Sequence, residues 1–495
     1  MQLLDLITIF IFALGIVIMG LSFSGKGRNM KSFFAAGGAV PWAMSGLSLF
    51  MGFFSAGTFV VWGSIAYSLG WIAISIQWTM AIAGFVVGFF IAPRWHKTSA
   101  LTVAEYITRR LGVNTQKTYT YLFLFISLFT TGSFLYPVAK IVEVSTGMPL
   151  DLCILLLGGF CIVYVAAGGL WAVVSTDVLQ FIILTAAVLI VVPLSFGRVG
   201  GVVNFIESIP ATYFNLVNGE YTIGFIIAFG VYNAIFLGGN WAYVQRYASV
   251  NSQSSARKVG FLFGGLYVVS AVLWMLPPMI YRIVNPSLST IDAEGAYLMM
   301  CKEVLPAGLL GLMLSGMVFA TASSLNATLN ISSGVVTNDI FKRLFPQSSD
   351  KTLMRVARIS TIIFGLLAII VALLIPLMGG IVNVVISVAA LTGVPLYLPI
   401  IWTLFSKRQT EYSVITTTLV SLGANAFFKF ITPLWGFGFN RAEEMIVGVA
   451  FPVFCLIAFE LYYKLNHKIS HRYVEYQEWE KENNCIKETE RKEDK

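Results

Sequence analysis

Two serines and an alanine carbonyl within the stretch 320–324 have the types and spacing to bind a small cation. Ala320, Ser323 and Ser324 stand at i, i+3 and i+4, so they share one face of a helix. Sodium prefers several hard oxygen ligands, and two hydroxyls beside a loosened carbonyl supply some of them without a carboxylate. Small hydroxyl residues also bond the carbonyl four residues earlier or pack against a neighbouring helix. The pattern alone leaves both interpretations open.

Two further stretches, 48–58 and 233–240, carry glycines in apolar surroundings. Glycine relaxes a membrane helix, which frees carbonyls to face an ion and N–H groups to face a polar solute. The same glycines also permit close helix packing. In the predicted order of spans these stretches lie five apart, so five-helix units that begin at them would have opposite orientations. That placement favours an inverted-repeat transporter.

One acidic residue, Asp177, lies at the predicted cytoplasmic start of the sixth span, in the sequence Ser175-Thr176-Asp177. Acids at such positions are costly and usually functional, whereas an aspartate at a helix N-terminus also serves as a cap. A role in ion release and a capping role both remain open. Lys140 and Glu143 are three residues apart and are predicted to form a snorkelling pair without a transport role.

The elements that must position these residues are membrane helices. Of the 495 residues, 57% are hydrophobic and only 11% are charged, against about 25% charged in soluble domains. Apolar runs of roughly 20 residues fit transmembrane helices rather than the strands of a membrane barrel. The expected fold is therefore all-α, with about 13 transmembrane helices. The predicted spans are 4–22, 42–67, 72–93, 118–142, 150–168, 177–196, 221–243, 259–281, 306–334, 359–378, 380–405, 411–432 and 444–463.

Basic residues occur in alternate loops, which are predicted to be cytoplasmic together with the tail after Lys464. An odd number of spans then places the N-terminus outside. The first span lacks a basic segment before it, so a retained helix is expected rather than a cleaved signal peptide. The formal charge of +8 is spread over these loops, where anionic lipid attracts it. Nucleic acid is not expected as a partner. The tail from His467 is predicted to be a solvated helix or a disordered end.

These residues resemble the sodium:solute symporter family, which includes bacterial sodium/galactose and sodium/sialic acid symporters. The resemblance covers most of the chain. It is carried most specifically by Gly168-Gly169-Leu170 leading to Thr176-Asp177-Val178-Leu179-Gln180, and by the serine pair in its context. Further matches are 37–42, 163–167, 245–247 and 338–340.

The resemblance implies a LeuT-type core of five plus five helices, with three peripheral helices. The implied division of the chain begins with a first peripheral helix and loop and ends with a cytoplasmic tail, with the two inverted repeats and two C-terminal peripheral helices between them. Its bounds are 1–36, 37–205, 206–408, 409–465 and 466–495.

The resemblance also implies one sodium site between the first broken helix and the serine-bearing helix. Its matched ligands are the carbonyls of Met51, Phe54 and Ala320 and the hydroxyls of Ser323 and Ser324. Asp177 belongs to a supporting polar network. An additional site in some relatives uses hydroxyls at the positions of Asn326 and Ala327. Ala327 has no side-chain oxygen, so a single coupled sodium is expected, with a second sodium left open as the alternative by Asp177.

By the same comparison, a set of mostly polar residues is expected to line the solute pocket, with Phe236 as an aromatic inner gate. The pocket residues are Ser55, Thr58, Gln77, Asn233, Tyr267 and Ser387. Sialic acid carriers use an arginine near the position of Thr130. Galactose carriers have an acid where Gln77 stands and a lysine where Tyr267 stands, so neither specificity transfers.

The sequence therefore predicts a sodium-coupled symporter that imports a small polar solute, most simply a sugar or sugar-like metabolite. It is expected in the plasma membrane, which would be a bacterial inner membrane, surrounded by lipid and without an obligate protein partner. A sodium-coupled carrier of a small carboxylate and an uncoupled channel remain alternatives. An enzyme is not expected, because His96, His467 and His471 lie in the predicted cytoplasmic segments and no acid cluster lies at membrane depth.

Overall fold

The computed structural model describes residues 2–24, 40–100, 102–165 and 170–480. Within these ranges the chain is helical and contains no strand, as predicted. The motif residues 37–39 and 166–169 lie outside the described residues. The same holds for the side chains of Ser323, Asn326, Ala327 and 338–339.

The first half of the described chain contains one helix with a sharp interruption and several long continuous ones. These helices are α1 (Leu3–Ser24), α2 (Trp42–Met51), α3 (Gly63–Leu69), α4 (Trp71–Val86), α5 (Ala92–Lys97), α6 (Val103–Leu111), α7 (Val113–Thr146), α8 (Leu150–Val165), α9 (Leu170–Arg198) and α10 (Val202–Ser208). A π-helical turn, Thr58–Trp62, precedes α3, and another, Val87–Ile91, joins α4 to α5.

The second half contains a second pair of helices joined at an angle. Its helices are α11 (Ile223–Gly239), α12 (Trp241–Ala248), α13 (Gln253–Val284), α14 (Ala296–Val304), α15 (Leu309–Gly334), α16 (Lys342–Leu344), α17 (Asp350–Leu374), α18 (Ile381–Val388), α19 (Val394–Thr403), α20 (Glu411–Ala426), α21 (Arg441–Leu465) and α22 (471–480). Short 3-10 turns include Asp292–Gly295, between α13 and α14.

Among the described residues, eight helical segments are long and apolar enough to cross a membrane, or nine if α11 and α12 form one bent span. Four more of the predicted spans coincide with shorter or interrupted apolar helices, namely α1, α2 with α3, α8 and α15. The chain is therefore an all-helical multi-pass membrane protein, and the total of about 13 spans stays a prediction.

Close packing of α4 against α13 builds one wall of the molecule's centre. A Cβ added to Gly260 would lie 2.5 Å from the Cα of Gly88, and one added to Gly84 would lie 2.7 Å from the backbone nitrogen of Gly264. Only glycine allows two membrane helices to approach so closely. The backbone contact holds the polar residues of α4 at a fixed distance from α13.

The C-terminal helix α22 packs against the amphipathic helix α6 through two aromatic residues, while half of its residues are exposed, as in the predicted solvated helix; residues 481–495 lie outside the described residues. Tyr476 is buried beside Tyr106, and the guanidinium of Arg109 lies 3.8 Å from the ring centre of Trp479. Burial raises the pKa of Tyr106 to about 12. The sequence did not reveal this contact, because α22 is charge-rich and its two aromatics, Tyr476 and the partly buried Trp479, face a segment distant in sequence.

Candidate functional site

The first interrupted helix breaks immediately after Met51, in the stretch predicted to be interrupted. The N–H of Gly52 donates to the carbonyls of Ser48 and Leu49 at 3.3 and 3.2 Å, and residues 52–55 are then not helical. Within the described part of the chain, no backbone N–H donates to the carbonyl oxygens of Met51 or Phe54. Buried carbonyls normally have a partner. These two oxygens are therefore available to a cation.

The break lies against α15, the helix that carries the serine pair. The N–H of Ala56 donates to Oγ1 of Thr321 at 2.9 Å, and Thr321 donates in turn to the carbonyl of Met317. Met51, Phe54 and Ala320 are each only 1% exposed. Two polypeptide segments far apart in sequence thus meet at the predicted ion site.

Ser324 and Ala320 present two oxygens at a separation that suits one ion. Oγ of Ser324 lies 3.5 Å from the carbonyl oxygen of Ala320, which is the outer limit for a hydrogen bond. Oxygen ligands lie about 2.4 Å from a hard cation, so two ligands at a right angle are about 3.4 Å apart. The side chain of Ser323 is outside the described set.

Asp177 lies inside α9 and not at its N-terminus, because α9 already begins at Leu170. The capping interpretation is therefore wrong. The hydroxyl of Ser48, on the first interrupted helix, donates to Oδ2 of Asp177 at 2.6 Å, and the acid is 2% exposed. Asp177 thus lies beside the broken helix, whose Met51 and Phe54 carbonyls are predicted sodium ligands.

A central cavity, whose empty volume of about 1110 Å³ includes space open to solvent, lies beside the break. Five of the six predicted pocket residues line it, namely Ser55, Thr58, Gln77, Asn233 and Tyr267, and so does the predicted gate residue Phe236. Ser387 does not, since α18 contributes Val385 and Val388 to the wall instead. Thr130 also lines the cavity.

The polar groups of the central cavity are neutral. Among its described lining residues there is no Asp, Glu, Lys or Arg. The side chain of Gln77 is 2% exposed, and its Oε1 has no hydrogen-bond partner among the described residues. Asn233 donates from Nδ2 to Oγ1 of Thr79 at 2.8 Å. This use of Nδ2 leaves the Oδ1 acceptor of Asn233 to a solute.

Aromatic rings that the sequence analysis did not single out form much of the wall. The ring of Phe236 lies 5.5 Å from Tyr232, 5.6 Å from Tyr243 and 5.8 Å from Tyr397, measured between centroids. In α11 the aromatics at 225, 229, 232 and 236 recur every three or four residues, a spacing that could have revealed one shared face.

A second cavity, with an empty volume of about 780 Å³, adjoins the central one. The walls of the two cavities share Gly52, Ile126, Thr130, Phe134, Phe236, Tyr243 and Tyr397. Ser48, Asp177, Arg246 and Ser324 line only the second. The ring of Phe236 therefore stands between a neutral cavity and a cavity that contains charged groups.

The second bend occurs at Asn240, at the end of the predicted stretch 233–240. Helices α11 and α12 meet there at 59°. Oδ1 of Asn240 accepts from the N–H of Ala242 at 3.0 Å and so starts the new helix. Gly238 and Gly239 remain helical, and a Cβ on Gly239 would lie 2.7 Å from Cβ of Tyr397. The asparagine, and not the glycines, sets the bend.

A buried acid, Glu294, lies between α7 and the start of α18. Its carboxylate accepts from the hydroxyl of Tyr136 and from the N–H of Ile381, both at 3.0 Å. Nearby, Nζ of Lys140 lies 2.9 Å from Glu143, but Lys140 is only 5% exposed. The predicted ion pair between Lys140 and Glu143 is therefore present. The prediction that this pair snorkels to the membrane surface is wrong, because the lysine is enclosed by protein.

The sequence profile of the sodium:solute symporter family matches residues 33–420. The chain belongs to this family. A sodium/glucose cotransporter of Vibrio parahaemolyticus is similar to it, with 28% identity over 86% of each chain. A sodium/myo-inositol cotransporter 2 of Sus scrofa is 27% identical, over 84% of this chain and 68% of that one.

The fold agrees with that of a solved structure. A sodium-coupled sialic acid symporter, in a substrate-bound outward-open state, superposes with a TM-score of 0.78 at 21% sequence identity. The match covers 93% of this chain and 98% of the other. This symporter is therefore a sodium-coupled carrier of a small molecule and not an enzyme, as the sequence predicted.

Proposed function

We propose that this symporter imports an uncharged, polyhydroxylated solute, a sugar or a polyol, together with one sodium ion. The observation that carries the proposal is the central cavity, whose described wall combines neutral amides with aromatic rings and contains no charged side chain. Amides pair well with hydroxyls, and aromatic faces pack against the apolar faces of a sugar ring. The names of the Vibrio and Sus scrofa relatives agree with this solute class.

The sodium ion binds between the break and α15 in this proposal. Its ligands are the carbonyls of Met51, Phe54 and Ala320 with the hydroxyls of Ser323 and Ser324. The unpartnered carbonyls of the break and the 3.5 Å spacing of Ser324 from Ala320 support this assignment. Asp177 acts through Ser48, which belongs to the same broken helix.

Sodium coupling follows from the contact between the two sites. The ion joins the break to α15, and the same break contributes Ser55 and Thr58 to the solute cavity. Sodium thereby favours one conformation of the break, and the solute binds to that conformation. Solute then leaves past Phe236 into the second cavity, whose charged residues mark the proposed cytoplasmic side.

The remaining architecture of the proposal follows the resemblance. Residues 37–205 and 206–408 form two inverted five-helix repeats within 13 spans, with the N-terminus outside and the tail in the cytoplasm. The protein lies in the plasma membrane, a bacterial inner membrane, and works there in lipid without an obligate protein partner. Solute transport by the purified chain alone in liposomes tests whether a protein partner is needed.

A carboxylate solute is less well supported than a neutral one. The N–H groups that follow the break are the natural place for a carboxylate. The N–H of Ala56 already donates to Thr321, and that of Thr58 donates to the carbonyl of Ser55 at 3.0 Å. These two N–H groups are therefore occupied by the protein itself.

The decisive experiment is a thermal-shift screen of purified protein against neutral sugars, polyols, sugar acids and amino acids, in sodium chloride and in choline chloride. We expect neutral sugars or polyols to stabilise the protein, and to do so more strongly with sodium. Stabilisation by acids alone would reject the solute class. Equal stabilisation in choline would reject the coupling scheme.

Ser324→Ala tests the ion site in the same assay. The substitution removes one of five proposed ligands, so the sodium concentration for half-maximal stabilisation should rise about tenfold. Ser270→Ala is the matched control, because this serine also bonds the carbonyl four residues earlier but lies on α13 outside both cavities. Equal sodium dependence in the two variants would remove Ser324 from the site.

A further inference from the structure

Asp5, in the first helix, is buried in contact with the N-terminus of α15. It is 1% exposed, and its Oδ1 accepts from the N–H groups of Gly308 and Gly311 at 2.7 and 3.1 Å. Its Oδ2 accepts from the N–H of Gln2 at 2.9 Å. Asp5 is not a proposed sodium ligand, and it lines neither cavity.

The N-terminus of α15 lacks a cap of its own. Gly308 precedes the helix with φ of 89°, and it has no side chain to accept from the first N–H groups. These groups carry partial positive charge and need acceptors. A buried carboxylate in a membrane protein likewise needs donors. Asp5 and the start of α15 therefore satisfy each other, with the cap supplied by a different helix.

The contact continues along α15 toward the sodium site. A Cβ on Gly311 would lie 2.3 Å from the carbonyl oxygen of Asp5, so α1 and α15 touch through their backbones. Farther along, the rings of Phe12 and Phe319 lie 5.8 Å apart. Phe319 immediately precedes Ala320, one of the proposed ligands. The first helix thus supports α15 from its N-terminus to the ion site.

We propose that Asp5 is a positioning residue for sodium binding. By capping α15 it fixes where Ala320 and Ser324 lie along the axis of that helix, opposite the carbonyls of the first broken helix. The inference rests on the proposed sodium site. It assigns the first, peripheral helix a part in ion affinity, although that helix contributes no proposed ligand and none of its described side chains lines either cavity.

The test is a sodium titration of the purified protein, with the melting temperature as readout and choline chloride holding the ionic strength constant. Asp5→Ala and Asp5→Asn remove the charge, and Asn retains one acceptor oxygen. We expect half-maximal stabilisation to require about three- to tenfold more sodium in Asp5→Ala, with a smaller change in Asp5→Asn. A purely structural anchor would lower the melting temperature without sodium and leave the half-saturating concentration unchanged.

Gly311→Ala perturbs the same contact from the other helix and keeps the test informative if Asp5→Ala does not fold. It should shift the sodium titration in the same direction. Gly15→Ala is the matched control, since a Cβ there meets nothing within 4 Å. A sodium-responsive wild type with unshifted Asp5→Asn and Gly311→Ala variants would overturn this inference alone. A wild type that ignores sodium would overturn the proposed sodium site as well.

Discussion

The N–H of Ala56 and the side-chain oxygen Oγ1 of Thr321 lie 2.9 Å apart and join the first broken helix to α15. This bond connects residues 265 positions apart in the sequence. Thr321 is 0% exposed, so neither group can exchange its partner for water. The bond therefore fixes the distance between the two segments that hold the proposed sodium ligands.

Thr321→Val should weaken sodium binding although Thr321 is not a proposed ligand. The substitution keeps the shape of the side chain and leaves the N–H of Ala56 buried without an acceptor, which costs about 1–3 kcal/mol. The break can relieve this cost by moving away from α15. We expect a lower melting temperature and a higher half-saturating sodium concentration. Thr321→Ser retains the hydroxyl and should behave as the wild type; equal defects in both variants would contradict the role of this bond.

Gln77→Leu should lower the affinity for the solute and spare that for sodium. Oε1 of Gln77 is buried, has no partner among the described residues and lies at the cavity. Loss of one hydrogen bond corresponds to a rise of about three- to tenfold in the dissociation constant. The measurement is a titration of the best ligand from the screen at saturating sodium. Gln253→Leu, at an exposed helix start, is the control, and an unchanged solute affinity in Gln77→Leu would exclude a direct contact.

Phe236→Ala should allow solute to leak through the protein. The ring stands in the wall that the two cavities share, packed against Tyr232 and Tyr243. Its removal joins the cavities, so liposomes preloaded with solute should lose it faster in the absence of sodium. Phe430→Ala, at an exposed position outside both cavity walls, controls for the loss of an aromatic ring. Efflux equal to that of the wild type would argue against a gate at Phe236.

Glu294→Gln should change how stability depends on pH. Burial raises the pKa of Glu294, and the negative charge of Glu143 raises it further. The N–H of Ile381, the hydroxyl of Tyr136 and the positive charge of Lys140 oppose this rise. The folded state consequently binds a proton that the unfolded state releases between the ordinary pKa of glutamic acid and the raised value. Across that window the free energy of unfolding falls as the pH rises.

The amide introduced by Glu294→Gln does not titrate, so the substitution removes this contribution without changing the shape of the side chain. We expect the wild type to gain stability relative to Glu294→Gln when the pH falls from neutral towards 5, as measured by melting temperature. Glu207→Gln, at an exposed position, serves as the comparison. A difference between wild type and variant that is constant with pH would contradict a raised pKa at Glu294.

The local properties of the chain were accessible from the sequence. The apolar runs located the helices, since hydrocarbon requires every backbone group to be paired within its segment. The glycines at 52 and 57 indicated the first break, because glycine relaxes a helix at its own position in the chain. At the second break the prediction was less exact, because Asn240 bends the chain by capping α12, whereas Gly238 and Gly239 serve packing.

The composition of the cavity was only partly accessible. Five of the six predicted pocket residues and the gate residue Phe236 face it, but the rotation of α18 points Val385 and Val388 inward in place of Ser387. That rotation depends on how α18 packs against its neighbours. The rings of Tyr232, Tyr243 and Tyr397 were missed because tyrosine is also enriched at membrane–water interfaces, so its presence does not mark a cavity wall.

The sequence by itself determined that this chain is a helical membrane protein with an interrupted helix, a hydroxyl-bearing helix and the motifs of a sodium-coupled family. Only the tertiary structure decided which distant groups meet: Ala56 with Thr321, Ser48 with Asp177, Asp5 with the start of α15, and Glu294 with Ile381. The reason is physical. Hydropathy and helix breaking depend on neighbours along the chain, whereas a buried hydrogen bond depends on the packing of helices that local sequence does not encode.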